Sequence, residues 1–140
     1  LRQAGGAGPV EALMTLLART DVPRAVLAEP LKRLALAYLS LLPREPDVFD
    51  PVARFHLANG ARLERINVFA DESAARREES FSVMVNYLYD SDDVIANHEG
   101  FVGNGLVAMS RSLQREQKKI ATIWNGVATA ALPPGSAYRV

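Results

Sequence analysis

The strongest constraint on this chain is a pair of dipeptides that bracket a short segment, Asp50-Pro51 at its start and Asn59-Gly60 at its end. An aspartate carboxylate accepts the unpaired N–H groups of a helix's first turn, and proline suits that turn because its missing N–H would have no partner there. Asparagine and glycine tolerate the positive φ at which helices stop. The bracket predicts a helix of about two turns. A helix that short is unstable alone, so its orientation must come from what it packs on. Val52 and His56 stand one turn apart on one face, which is expected to look inward.

Two alternating segments follow. Over residues 61–69, Leu63, Arg65, Asn67 and Phe69 alternate with Arg62, Glu64, Ile66 and Val68. Over 82–89, Val83, Val85, Tyr87 and Tyr89 alternate with Ser82, Met84, Asn86 and Leu88. A period of two predicts strands. The charged stretch 71–79 between them reads as a surface helix or loop. A helical crossover would pair the strands in parallel, which is the arrangement expected; a bent hairpin is the other option.

The first third is helical. Pro9 opens a helix carrying Val10, Leu13, Met14 and Leu17, Asp21 caps a second over 23–29, and Pro30 opens a third with Leu31, Leu34, Ala35, Tyr38, Leu41 and Leu42 on one stripe. Pro43 and Pro46 make a turn of 43–47. After the strands, Asp90, Ser91, Asp92 and Asp93 cap a helix with Ile95, His98 and Val102, broken at Gly103-Asn104-Gly105. The last helix is expected over 106–127, with Leu106, Leu113, Ile120 and Val127 spaced by sevens and Met109 and Ile123 between. The class is α/β (α+β): a helical N-terminal third, two strands, then C-terminal helices. Residues 1–8, glycine-rich and without an initiating methionine, are expected to be a linker from upstream sequence; 9–128 form the domain, and 129–140, with Pro133-Pro134-Gly135, a disordered tail.

Composition excludes some functions. Sixteen basic and sixteen acidic side chains are interspersed at zero net charge, which argues against nucleic acid as a partner. The longest apolar-rich stretch, 34–42, is about half of what a membrane-spanning helix needs. The absence of cysteine removes disulfides and thiolate metal sites, and two histidines without metal-ligand spacing leave no metal centre to expect. With no export leader, the expected location is the cytoplasm.

Candidate chemistry sits in the middle of the chain. Arg65 and Asn67 share a strand face with Leu63 and Phe69, and Asn86 shares one with Met84 and Leu88. Buried amides and guanidinium groups must be paired, so these residues form either a structural network or the floor of a site. His56 reads as a packing residue or as a general acid placed where the negative end of a helix dipole attracts a cation. His98, within Asn97-His98-Glu99, reads as a capping or surface residue. No nucleophile elbow, phosphate loop or dinucleotide fingerprint occurs.

The segment Asp50-Pro51-Val52-Ala53-Arg54-Phe55-His56-Leu57-Ala58-Asn59-Gly60-Ala61 resembles the signature block of malonyl-CoA decarboxylases. Leu63-Glu64-Arg65-Ile66-Asn67, then Asp71 and Ser73, continue the match; Met84-Val85-Asn86-Tyr87-Leu88-Tyr89 and Asn97-His98-Glu99 follow in the family's order. The resemblance covers about 30–110. Two positions depart from it: Val68 stands where the family has tryptophan, and Glu79-Ser80-Phe81-Ser82 replaces a run of small residues.

The resemblance implies an acetyltransferase-like (GNAT-type) α/β catalytic domain, of which this is the C-terminal part. It implies conversion of malonyl-CoA to acetyl-CoA and carbon dioxide, in fatty acid metabolism, with no metal, biotin or other cofactor. It assigns His56 as proton donor, working with a serine from an upstream segment, and places Tyr89 near the site. Asn67 and Asn86, with His56, are the expected substrate contacts. The full-length enzyme is expected to be a homo-oligomer, and the 140 residues alone are expected to be inactive because none of their serines occupies the family's serine motif. Two alternatives stay open: a non-catalytic module that binds acyl-CoA or a protein, and an acyltransferase relative. The two strands should be sheet neighbours, since both blocks must converge on one site.

Overall fold

The computed structural model describes residues 15–19, 21–41 and 50–131, with side chains to 123. The expected linker over 1–8, the helix start at Pro9 and the turn over 43–47 lie outside the described residues.

After a helical turn at 15–18, α1 runs Arg24–Ser40 as one helix where two were expected, with Pro30 inside it. Proline removes one backbone bond and costs a helix interior about 3 kcal/mol. Leu27 and Leu31, on either side of the exposed proline, and then Leu36, Ala37 and Leu39 bury enough apolar surface to offset that loss.

Helix α2, Pro51–Ala58, has the expected bounds, and the Asp50 carboxylate accepts the Ala53 N–H at 2.8 Å. Its buried face differs from the expected one. Ala53 and Leu57 point into the core, Val52 is 60% exposed, and His56 lies partly buried beside that stripe. Replacing Asp50 with alanine is expected to cost about 1 kcal/mol, the usual worth of such a cap. A denaturant melt checks this, and unchanged stability would show that the cap is idle.

Strands β1 (Arg62–Val68) and β2 (Val83–Leu88) are sheet neighbours, as expected, but antiparallel, in a register from Arg62 opposite Leu88 to Val68 opposite Val83. The connection, residues 69–82, is not a crossover: α3 (Ala74–Ser80) lies within the loop of a hairpin. The chain reverses instead through left-handed residues, Phe69 (φ 56°), Phe81 (φ 53°) and Ser82 (φ 61°). Such conformations cost roughly 1–2 kcal/mol each, offset here as both phenylalanines pack on Leu17, Leu27 and Leu31.

The even alternation expected over 61–69 is interrupted. Leu63 faces Tyr87 and Arg65 faces Asn86, so Glu64 forms a bulge. The phase shift buries both Leu63 and Ile66 and turns Arg65 away from the core. Arg65 therefore does not share a buried face with Leu63. On β2 the alternation holds, with Val83, Val85 and Tyr87 partly buried and Met84, Asn86 and Leu88 exposed.

Helix α4 spans Val94–Asn104 and ends at Gly105 (φ 66°), as its glycine predicts. Residues 108–110 then run parallel to β1: Leu63 N–H donates to the Ala108 carbonyl at 2.9 Å, and Ser110 N–H donates to the Leu63 carbonyl at 2.8 Å. This pairing delays the last helix, α5, to Arg111–Ala131; Leu106 lies outside it and is 62% exposed. The helix passes both the expected end at 127 and the start of the expected tail at 129. Leu113 and Ile120 join Leu36, Leu39, Leu57, Leu63 and Ile66 in the main core. Arg62, bonded to Glu64 at 2.9 Å and within 3.6 Å of Asp93, ties β1 to the start of α4.

Candidate functional site

Helix α2 and the end of β2 meet at His56. Its Nδ1 lies 2.9 Å from the Tyr89 hydroxyl, joining two sequence blocks 33 residues apart. The imidazole stacks on Tyr87, with ring centroids 4.3 Å apart and planes 15° from parallel, while Phe55 meets it edge-on at 5.3 Å. Two tyrosines thus hold the ring, one by its face and one by Nδ1.

Strand geometry explains the pairing. Residues two apart project to the same side, so Tyr87 and Tyr89 present one face toward α2. Burial, and then the nearby Asp50 carboxylate, push the Tyr87 hydroxyl up to about 12. Tyr87 is therefore a neutral, half-buried ring under His56 throughout the physiological range. Phe55, Val52 and Tyr89 around the histidine are 62%, 60% and 46% exposed, which leaves an apolar, open surface beside the imidazole.

Asn67 and Asn86 are placed elsewhere. The Asn67 amide donates to the Asn86 side-chain oxygen at 2.6 Å. Asn86 alternates with Tyr87, so this pair lies on the opposite face of the ribbon from the His56 stack. The structure brings His56 and Tyr89 together, and brings Asn67 and Asn86 together, but not the two pairs with each other.

Two further groups act on the end of α2. Asn97 donates to the Gly60 carbonyl at 3.1 Å, and the His98 Nδ1 bonds the Ala58 carbonyl at 2.6 Å. The capping role read for His98 is thus real, but the helix it caps is a different one. Tyr87 is a site residue beyond those expected; its two-residue spacing from Tyr89 is the signal in the sequence that it shares the site.

A family model described as the malonyl-CoA decarboxylase C-terminal domain matches residues 11–127. The mitochondrial malonyl-CoA decarboxylase of the goose Anser anser anser is 37% identical over 87 residues, covering 62% of this chain and 17% of that protein. The mitochondrial enzyme of Rattus norvegicus is 33% identical over 96 residues, covering 69% of this chain and 20% of that one. Crystal structures of malonyl-CoA decarboxylase from Agrobacterium vitis (TM-score 0.66, 35% identity, 79% of this chain and 29% of that one) and Cupriavidus metallidurans (TM-score 0.65, 36% identity, 82% and 29%) are similar to this chain. The chain therefore spans a fifth or less of these curated relatives' length and under a third of these crystallised chains.

Proposed function

This chain belongs to the malonyl-CoA decarboxylase family, a family of carboxy-lyases, and from that premise we propose that the full-length protein converts malonyl-CoA to acetyl-CoA and carbon dioxide, with His56 as the proton donor. The observation that carries this reading is the bond between His56 Nδ1 and Tyr89. With Nδ1 engaged, the transferred proton belongs to Nε2.

The reaction needs little else from these residues. The bond between the malonyl methylene and its carboxylate breaks, carbon dioxide leaves, and the electron pair passes into the thioester enolate. Hydrogen-bond donors stabilise the enolate oxygen, among them a serine from outside residues 1–140. The Nε2 proton then goes to the methylene carbon and gives acetyl-CoA. The flat stack on Tyr87 holds the imidazole plane during that transfer. In this reading His56 and Tyr89 act on the substrate, while Asn67 and Asn86 satisfy each other on the far face of the ribbon. The acetyltransferase-like architecture of the whole catalytic domain, its homo-oligomeric state and its cytoplasmic location belong to the same proposal.

Purified full-length protein given malonyl-CoA is expected to release carbon dioxide and acetyl-CoA in equal amounts. Acyl transfer without carbon dioxide would replace this reading with the acyltransferase one; binding without turnover would leave the non-catalytic module. Within the active enzyme, Tyr89→Phe removes the partner of Nδ1 and keeps the ring. It is expected to lower kcat about ten- to a hundredfold, the worth of one hydrogen bond to a charged group, with KM little changed. A kcat equal to wild type would mean that the bond plays no part in turnover.

A further inference from the structure

The carbonyls at the end of α2 divide into two sets. Asn59 N–H bonds the Phe55 and His56 carbonyls, Ala61 N–H bonds His56, and Gly60 N–H bonds Leu57, all within the turn itself. The Ala58 and Gly60 carbonyls are bonded from α4, by His98 Nδ1 at 2.6 Å and Asn97 Nδ2 at 3.1 Å. A carbonyl only accepts, so His98 carries its proton on Nδ1 and Asn97 presents its amide N–H.

We propose that Asn97 and His98 are positioning residues for the proposed acid: from α4 they grip the end of the helix that carries His56 and so set where its Nε2 meets the substrate. The proposal rests on His56 being the proton donor. Its physical basis is the brevity of α2. Eight residues have no stiffness of their own in solution, so the helix takes its direction from the core beneath Ala53 and Leu57 and from its two ends. Asp50 holds the first end. The second end has no basic side chain beyond His56 itself, and Ala58, the carbonyl His98 takes, is only two residues from His56. Gly60 allows the close approach, since any Cβ there would lie 2.2 Å from the Val94 carbonyl oxygen at the start of α4. Helix α4 thus touches the turn through its backbone and two adjacent side chains. A displacement of about 1 Å in a reacting group costs up to about a hundredfold in rate, so a slackened grip should register in turnover before it registers in substrate binding.

The experiment uses the full-length enzyme. Asn97→Asp keeps the shape and loses the donor; His98→Leu loses the ring donor; His98→Asn restores an N–H near the position of Nδ1. Expected are a kcat lowered about tenfold or more for Asn97→Asp and His98→Leu, KM within about threefold, and recovery of most of the kcat in His98→Asn. Each is measured well below its own melting temperature, so that unfolded enzyme is not counted. The decisive comparison adds Asn97→Asp to His56→Asn. If Asn97 acts through His56, the second change costs nothing more once the acid is gone. Equal losses in both backgrounds, or wild-type kcat in Asn97→Asp, would overturn the inference. Wild-type kcat in His56→Asn alone would instead overturn the function proposed above.

Discussion

In the full-length enzyme, His56→Asn is expected to lower kcat and kcat/KM together, by about a hundred- to ten-thousand-fold, the usual range for a general acid or base. Asparagine is the informative replacement because its amide reaches about as far as Nδ1. It keeps a partner for the Tyr89 hydroxyl, which stands 2.9 Å from that nitrogen in the wild type, and removes Nε2 altogether. The hydrogen bond between the two motif blocks is kept, while the proton carrier is lost. A histidine that merely packs against Tyr87 predicts the reverse, near-normal turnover in a less stable protein, because the stacked ring is lost too. Steady-state kinetics with a melting curve beside them separate the two. A kcat within about threefold of wild type, far short of the acid–base range, would make His56 a packing residue and end the site assignment.

The largest effect on stability is expected at Gly60. Its φ is +83°, and a Cβ there would lie 2.2 Å from the Val94 carbonyl oxygen and 2.9 Å from its carbon. Both are backbone atoms and have no rotamer by which to move aside. Left-handed strain alone costs roughly 1–2 kcal/mol, and relieving the clash means lifting α4 from the turn and breaking the Asn97 bond to the Gly60 carbonyl. Gly60→Ala is therefore expected to cost about 3 kcal/mol or more, a fall on the order of 10 °C in Tm for a domain of this size. Gly103→Ala is the matched control. Nothing lies within 4 Å of its Cβ position, so alanine in that helix should be neutral or stabilise by up to about 1 kcal/mol. Gly60→Ala melting with the wild type would show that α4 does not rest on this turn.

What was legible in the sequence follows the range of the chemistry behind it. The ends of α2 were readable because a cap acts within three residues, as Asp50 does on Ala53. The hairpin stood only as the second option because the charged segment 71–79 looks the same whether it carries the chain across or back. The bulge left no trace, since Glu64 reads as one more member of the alternation until its missing partner is seen opposite. Pro30 shows a local rule overridden by burial on both sides of it. In the site, His56 and Tyr89 were identified through the resemblance, and their contact is a geometric finding. Asn97 and His98 were visible as a polar group, with capping among the readings of His98, but the helix they serve was not, because the carbonyls they bond lie 37 and 40 residues away.

The parallel contact between Leu63 and residues 108–110 has a consequence for the order in which the chain is made. During synthesis β1 and β2 emerge first and pair along one edge, but the other edge of β1 must wait for Ala108 and Ser110. At about 5–20 residues per second, that wait lasts a few seconds. For that interval the Leu63 N–H and carbonyl, both bonded in the finished fold, stand open to any neighbouring strand, which is the condition under which nascent chains pair with one another. Helix α5 begins at Arg111, directly after the closing segment. The residues that close the Leu63 edge therefore run straight into helix α5.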